Sequence, residues 1–455
     1  MAKKTKASSF SIEKKLEQAL IPHCDKPYNL PDNWCWTTLD NAAKWGSGGT
    51  PTRKNSKYYL GNIPWVKTGE LDNNYVYETE EHISEEAIKN SSAKKYPINT
   101  VMIAMYGATI GKVGVMGVEA ATNQACANGV CNINVYYKYL FYYAISQKEE
   151  FIKKGKGGAQ LNISQEVIKK HEFPLAPLSE QHRIVERIES LFSKLDEAKD
   201  KAQEVIDSFE TRKSAILHKA FSSELTAKWR KENGIEMDEY PKYRFNEIAE
   251  IKSNLVDPAE YQNYPHIAPD NIEKKTGVLL GYHTIGEDGV KSGKHHFYAG
   301  QILYSKIRPN LSKVVIVDFE GLCSADMYPI EAKGDTKCLW YYMLSEEFLE
   351  QASTAGSRSV LPKINQKELS ALNVNIPPSV DEQREISRIL DSFFEKEYQS
   401  KQFAEAVLGH IDTMKKSILA RAFRGELGTN DPTEESATEL LKQILSGGNY
   451  ENKKN

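Results

Sequence analysis

Two patterns of apolar positions divide the chain. Ile184, Ile188, Leu191, Leu195, Ala198, Ala202, Val205 and Phe209 recur at alternating intervals of four and three. That is the a/d seam of a coiled pair of helices, in which about 3.5 residues per turn keep one stripe facing a partner. Ile386, Leu390, Phe393, Ala404, Val407, Ile411, Met414 and Ile418 follow the same register, with Glu397 and Ser400 as a polar break. Ser179 and Asp381 are placed to cap the two starts, prolines ahead of them favour an extended approach, and Gly425 suits the end of the second helix. Each helix is expected to run about 40 residues, roughly 60 Å at 1.5 Å per residue. Elsewhere the apolar runs are short. WTTLDNAAKWGSGGTPTRKNSKYY, IPWVKTGEL and TVMIAMYG alternate β-like stretches with Gly, Pro, Asn and Ser. Residues 136–155 and 337–353 read as amphipathic helices. The pattern predicts mixed α/β (α+β) globules, each a curled sheet with a few helices.

The chain is written twice. PLSEQHRIVERIESLF begins at Pro177 and PSVDEQREISRILDSFF at Pro378. Setting Glu180-Gln181 on Glu382-Gln383 also matches Ile184 with Ile386, Ser190 with Ser392 and Phe192 with Phe394. The same offset of 202 aligns RKSAILHKAFSSEL (212–225) with MKKSILARAFRGEL (414–427). Upstream, GGAQLNISQEVIKKHEFPLAP (157–177) parallels GSRSVLPKINQKELSALNVNIPP (356–378). NTVMIAMYGATIGKVGVM (99–116) resembles AGQILYSKIRPNLSKVVIV (299–317), each a strand, a polar and basic turn, and another strand. The plan is globule, helix, globule, helix, with an internal pseudo-two-fold repeat.

Composition changes this picture little. A net charge of -3 over 455 residues gives no global basic signal, but a basic face can be offset by acidic helices elsewhere. None of the six cysteines forms a CxxC pair and no histidine follows at zinc-finger spacing, so no metal is expected and the thiols read as reduced core residues. MAKKTKASSF leads into no apolar signal region, and no apolar run reaches the length of a membrane span, so a soluble cytoplasmic protein is expected. Catalytic motifs are missing too. No glycine-rich cofactor loop or Asn/Asp-Pro-Pro-aromatic motif for base methylation occurs. GATIGKV at Gly107 is one residue short of a Walker loop, with Val113 where magnesium needs a hydroxyl, and reads as a turn. Asp270, Glu273 and Lys275 are too compressed for a metal nuclease.

LPDNW at Leu30, PLSEQ at Pro177, LTAKWR at Leu225, SILARAFRGEL at Ser417 and ESATELLKQI at Glu435 carry a resemblance. Over nearly its whole length the chain resembles the specificity subunit of type I restriction-modification systems, and LTAKWR and the tail look most like the first of the known subfamilies. The resemblance implies two target recognition domains separated by two long antiparallel coiled-coil helices. The implied divisions are an N-terminal extension (1–27), recognition domain 1 (28–176), spacer helix 1 (177–230), recognition domain 2 (231–376), spacer helix 2 (377–427) and a C-terminal tail (428–455). The extension departs from the family pattern; SIEKKLEQALI reads as a helix that packs with the tail or with a methyltransferase subunit. Implied partners are double-stranded DNA, two methyltransferase subunits and two motor-nuclease subunits, with no membrane. S-adenosylmethionine, ATP and magnesium would belong to those partners, and this chain would bind no cofactor and catalyse nothing. The competing reading is a solitary regulatory or structural DNA-binding coiled-coil protein without enzyme partners.

Phosphate contacts position such a protein and base contacts specify its site, mostly through Arg, Lys, Asn, Gln, Ser and Thr. In the first globule the candidates are Ser47, Thr50, Arg53 and Lys54 in the Gly-rich loop, Lys67 and Thr68 after WV, and Tyr106, Thr109 and Lys112 on the turn. Gln160 and Asn162 open the next block. The counterparts in the second globule are Ser305, Lys306, Arg308, Asn310 and Lys313, then Ser357 and Arg358.

Overall fold

The computed structural model describes residues 11–157, 161–356 and 362–447. The chain divides into two compact units, one comprising residues up to Asp200 together with those from Gly409 onward, the other Lys201–Leu408.

In the first unit Cys35–Thr38 pairs antiparallel with Glu172–Leu175, so the chain joins and leaves the globule side by side. Past this ribbon lies a five-stranded sheet in the order Ala43–Ser47, Cys126–Cys131, Val101–Ala104, Val113–Met116, Asn74–Val76. A four-stranded sheet follows the order His82–Ile83, Ile63–Val66, Ala120–Thr122, Lys95–Tyr96. Val101–Ala104 is fully buried, which is why it reads as an unbroken apolar run rather than an alternating one. Val66, Tyr96 and Ala120 from one sheet meet Met102, Met116 and Cys126 from the other in a shared core. A larger core joins Val101 and Val113 to the helix Tyr137–Ser146 and to Ile184, Ile188, Leu419 and Phe423 of the long helices.

The second unit repeats four strands of each sheet and differs at the sheet edges. Lys242–Arg244 pairs with Asn373–Asn375. Ala249–Ile251, Met327–Ala332, Ile302–Ser305 and Val314–Ile316 form one sheet. Leu255–Val256, Lys294–Phe297, Gly321–Cys323, Pro265–Ile267 and His283–Thr284 form the other. Four strands of each sheet share their order between the units, with Asn74–Val76 an added edge strand in the first and Leu255–Val256 in the second, so the duplication seen in the sequence extends to strand order. Each expected amphipathic helix is two shorter ones: Tyr137–Ser146 and Lys148–Lys153, then Thr336–Met343 and Glu346–Ala355. At the second break Ser345 turns its hydroxyl onto the Phe348 N–H and caps a new start.

The long helices are Leu178–Asp207 with Phe209–Phe221, and Val380–Ala422. The first is interrupted at Ser208, whose hydroxyl bonds back to the Glu204 carbonyl, the i−4 bond that loosens a helix locally. Every first-seam position from Ile184 to Phe209 is buried or half-buried. In the second seam Met414 is instead 49% exposed. Lys415 takes its place, with its ammonium 5.1 Å from the Phe192 ring and 2.6 Å from Asp196, so the step from Ile411 is four residues. At the polar break, Glu397 accepts from Arg212 at 2.7 Å, and Phe209 meets Tyr398 one residue on. Within each unit the two helices therefore run antiparallel.

The repeated Glu-Gln pair fastens each helix start. Gln181 bonds the Ala176 carbonyl and the Tyr136 N–H, both at 2.9 Å; Gln383 bonds the Pro377 carbonyl and the Asp335 N–H, both at 2.8 Å. Glu180 accepts from Arg183 at 2.6 Å and Thr429 at 2.7 Å, and burial raises its pKa. Glu382 accepts from Thr226, Arg230 and Tyr240 at 2.6, 2.7 and 2.9 Å. Ser179 and Asp381 fall inside the first turns, because the helices begin at Leu178 and Val380. Gly425 follows the second helix at φ 74, and a Cβ there would strike Pro31. The extension helix Ile12–Ala19 packs on the tail helix Ala437–Ser446, sharing a core through Ala19 and Leu441. Five cysteines are buried, whereas Cys24 is exposed and so is not a core thiol.

One buried group carries a pH dependence. His171 is 3% exposed, with Nδ1 2.9 Å from Lys154 Nζ and Nε2 3.1 Å from Gln147 Oε1. The neutral tautomer satisfies both contacts, donating to Gln147 and accepting from Lys154. Burial first, and then the Lys154 charge, push the histidine pKa down. As pH falls below about 6.5 the unfolded chain takes up a proton that the folded one refuses, so stability falls with pH. Between pH 6.5 and 5.5, the urea midpoint should drop more steeply in the natural protein than in His171→Gln. Parallel slopes would remove His171 from the acid response.

Candidate nucleic-acid interface

The strongest internal correspondence is the basic turn. Val101 lies opposite Val115, and Ile302 opposite Ile316, so Lys112 corresponds to Lys313 and Gly107 to Arg308. The Ala104 N–H donates to the Lys112 carbonyl at 2.9 Å, and the Ser305 N–H to the Lys313 carbonyl at 3.0 Å. Each turn is laced to the loop before the next helix. Gly107 N–H reaches the Leu161 carbonyl and Arg308 N–H the Pro362 carbonyl, both at 2.8 Å. Ile163 N–H reaches Met105 and Ile364 N–H reaches Lys306, both at 2.9 Å. Gly107 and Gly111 supply left-handed backbone at φ 62 and 74; Arg308 and Ser312 do so at φ 47 and 44. The sequence GATIGKV is indeed a turn, with a short 3-10 helix at Gly107–Thr109.

Carboxylates absent from the sequence-based candidates organise the lysines. Lys112 lies 3.5 Å from Asp72. Lys313 donates to the Pro269 carbonyl at 2.6 Å and lies 3.4 Å from Asp270. These partners stand on or beside short helices built alike: Glu70 accepts from the Lys67 N–H at 2.6 Å, and Asn271 from the Ala268 N–H at 2.7 Å. In the first unit Arg53 makes a two-pronged bond to Glu81, at 2.5 and 3.1 Å, over the Tyr59 ring. Lys67 reaches Glu80 at 2.7 Å and the same Glu81 at 3.2 Å. Arg53, foremost, and Lys67 hold Glu81 below the usual carboxylate range. The guanidinium edge of Arg53 that would grip a base is thereby engaged.

The remaining candidates divide by exposure. Ser47 and Lys54 are exposed; Thr50, also exposed, bonds Gln124, and Thr68 is half-exposed. Tyr106 and Asn162 are exposed and bridged to each other, and Thr109 donates to the Tyr106 carbonyl at 2.7 Å. Arg308 and Asn310 are exposed. Lys306 turns inward to the Ala325 carbonyl at 2.5 Å. Ser305 is a correction: it is 2% exposed and bonds the Ile307 carbonyl at 3.1 Å, because the strand buries its last residue. Gln160, Ser357 and Arg358 lie outside the described residues. Sequence reasoning passed over Lys363, which occupies the position of Asn162, bridges Ile307 and pairs with Asp326 at 3.3 Å. Carrying the turn offset into the next block would have found it.

Among the described residues no group of three or more His, Cys, Asp or Glu is arranged to hold a metal ion, and no helix is long and apolar enough to cross a membrane.

A family model described as the type I restriction modification DNA specificity domain matches residues 31–206 and again 237–405. The chain belongs to this family. It is a specificity subunit with two recognition domains, and each match takes in one globule with much of the helix that follows. The subunit is 37% identical over 351 residues to the Escherichia coli type I restriction enzyme EcoDI specificity subunit, covering 70% of this chain and 79% of that one. It is 22% identical over 474 residues to the EcoKI specificity subunit of Escherichia coli K12, covering 93% and 98%. Its fold is that of the HsdS subunit from Thermoanaerobacter tengcongensis, at a TM-score of 0.66 and 16% identity over 88% of this chain and 99% of that one.

Proposed function

We propose that this specificity subunit is the non-catalytic DNA reader of a type I restriction-modification assembly. Each recognition domain reads one half of a split double-stranded site. The chain also scaffolds two methyltransferase subunits and two motor-nuclease subunits, which bring S-adenosylmethionine, ATP and magnesium. The observation that carries this reading is the double family match on two units that share the order of four strands in each sheet, each with an equivalent lysine-bearing turn. Two like modules on one chain suit a site with two halves. The solitary-protein alternative is not favoured, since the relatives it matches are named as subunits of type I restriction enzymes.

The test is reconstitution. The purified chain alone should neither methylate nor cut DNA; with its methyltransferase partner it should direct adenine methylation, and the motor subunit should add ATP-dependent cleavage. Turnover by the chain alone, free of contaminants, would overturn the reading.

The two equivalent lysines should behave differently. Lys112 pairs with a carboxylate that is itself 83% exposed, a weak surface pair that a phosphate can replace. Lys313 is 15% exposed and tied to a backbone carbonyl, so it braces the turn. In the assembled methyltransferase, Lys112→Ala should weaken cognate and random duplexes alike and lower the salt slope by about one. Lys313→Ala should lower thermal stability and leave the slope unchanged. An unchanged slope in Lys112→Ala would take that lysine off the phosphates.

A further inference from the structure

The two turns differ at two left-handed positions, Gly107 against Arg308 and Gly111 against Ser312, and of the two added side chains Ser312 is buried whereas Arg308 is exposed. Gly107 shows that this fold needs only a left-handed residue at the position, and no side chain. The second unit places Arg308 there, at φ 47 and ψ 62. Left-handed backbone is rare for any residue with a Cβ, and the following Pro309 further biases its predecessor toward extended conformations. The anomaly is held in place by the Arg308 N–H bond to Pro362, the Leu311 N–H bond to the Arg308 carbonyl at 2.9 Å, and the bridge between Ile307 and Lys363. Pro309 behind it is buried. The root of the side chain is therefore fixed while the side chain itself is exposed.

Its chemistry is also unspent. Arg53 is gripped by Glu81, Lys67 by two glutamates, Lys306 by a carbonyl, and Lys313 by a carbonyl and a carboxylate. Among the described residues Arg308 has no side-chain partner. A residue held in a sparsely populated backbone conformation, with a side chain that does nothing for the fold, points to a functional role for that side chain. An exposed arginine on a rigid root presents a planar fork, which matches the O6 and N7 acceptors of guanine in the major groove. We propose that Arg308 is a specificity-determining residue that reads a guanine in the half-site of the second recognition domain. The first domain, with Gly107 in its place, reads its half through other side chains. This rests on the DNA-reading function proposed above.

The variants are Arg308→Gly, which restores the residue the first unit uses, and Arg308→Lys, which keeps the charge and loses the fork. Each is assembled with the methyltransferase subunits. Three quantities are measured: thermal midpoint, affinity for random duplex, and the methylated motif. Arg308→Gly should melt no lower than the natural protein, since glycine suits the backbone. It should bind random duplex with little change, and lose about tenfold to a hundredfold in discrimination at one guanine of one half-site. Arg308→Lys should show the same relaxation. Rescue by lysine, with equal losses on cognate and random DNA in Arg308→Gly, would make it a phosphate contact and overturn the proposal. So would a lowered melting point with an unchanged motif, which would mark a structural role. If the natural assembly yields no two-part motif, the DNA-reading function itself fails; if it does and Arg308→Gly keeps that motif intact, only the assignment of Arg308 fails.

Discussion

Replacing residues 39–171 with the corresponding segment of a relative should change one half of the methylated site completely and leave the other half as it was. The physical reason is the ribbon at the base of the first globule. Cys35 opposite Leu175 and Thr38 opposite Glu172 hold the two chain crossings together, so a segment between them is exchanged at two adjacent points. The Glu180-Gln181 fastening lies outside the exchanged segment, apart from the Tyr136 N–H, a backbone donor that any relative supplies. The second unit has its own ribbon, its own two sheets and its own cores, and no residue of it is touched. Sequencing of methylated adenines in cells carrying the chimera is the readout. Changes in both halves would mean that the two domains do not read independently.

The second large effect concerns stability. Arg230 and Glu382 are 5% and 1% exposed and meet at 2.7 Å, with Thr226 and Tyr240 completing the bonds of the carboxylate oxygen they share. Desolvation removes most of what such a pair contributes in net terms, but deleting one partner leaves a buried charge without compensation, at about 3–5 kcal/mol. Against a domain stability of about 5–15 kcal/mol this is a large share. The thermal midpoint of Glu382→Ala should fall by roughly 6–20 °C, taking about 2–4 °C per kcal/mol. Glu180→Ala, its counterpart, should cost less, because Arg183 is 36% exposed and keeps Glu434 at 2.8 Å. Replacing both buried partners, Arg230→Met with Glu382→Leu, should recover part of the loss. Equal losses in the two single variants, or no recovery in the double one, would contradict this account of the paired helix starts.

The repeat and the helices were legible because both are periodic: the offset of 202 between the two Glu-Gln pairs and the four-three spacing from Ile184 survive whatever the surroundings do. What the Glu-Gln pairs are for was not legible. Thr226, Tyr240 and Thr429, which meet them, are brought in by chain turns after the long helices. Met414 was misplaced since periodicity weighs side chains by polarity, whereas Lys415 sets its ammonium over the Phe192 ring and pairs with Asp196. The turns at Lys112 and Lys313 were found from composition, as basic residues between two apolar strands. Their carboxylate partners were not, because Asp72 and Asp270 lie about 40 residues away in sequence. Ser305 shows the converse failure: a polar residue at a strand end that the fold buries and satisfies on its own backbone.

The most direct test of the central claim is to sequence the methylated adenines in the genome of the natural host, with this gene present and with it deleted. A two-part motif with an adenine methylated in each half and a fixed gap between them is expected with the gene, and its complete loss without it. Identical methylation in both strains, or loss of a single uninterrupted motif instead, would contradict the assignment of one half-site to each recognition domain.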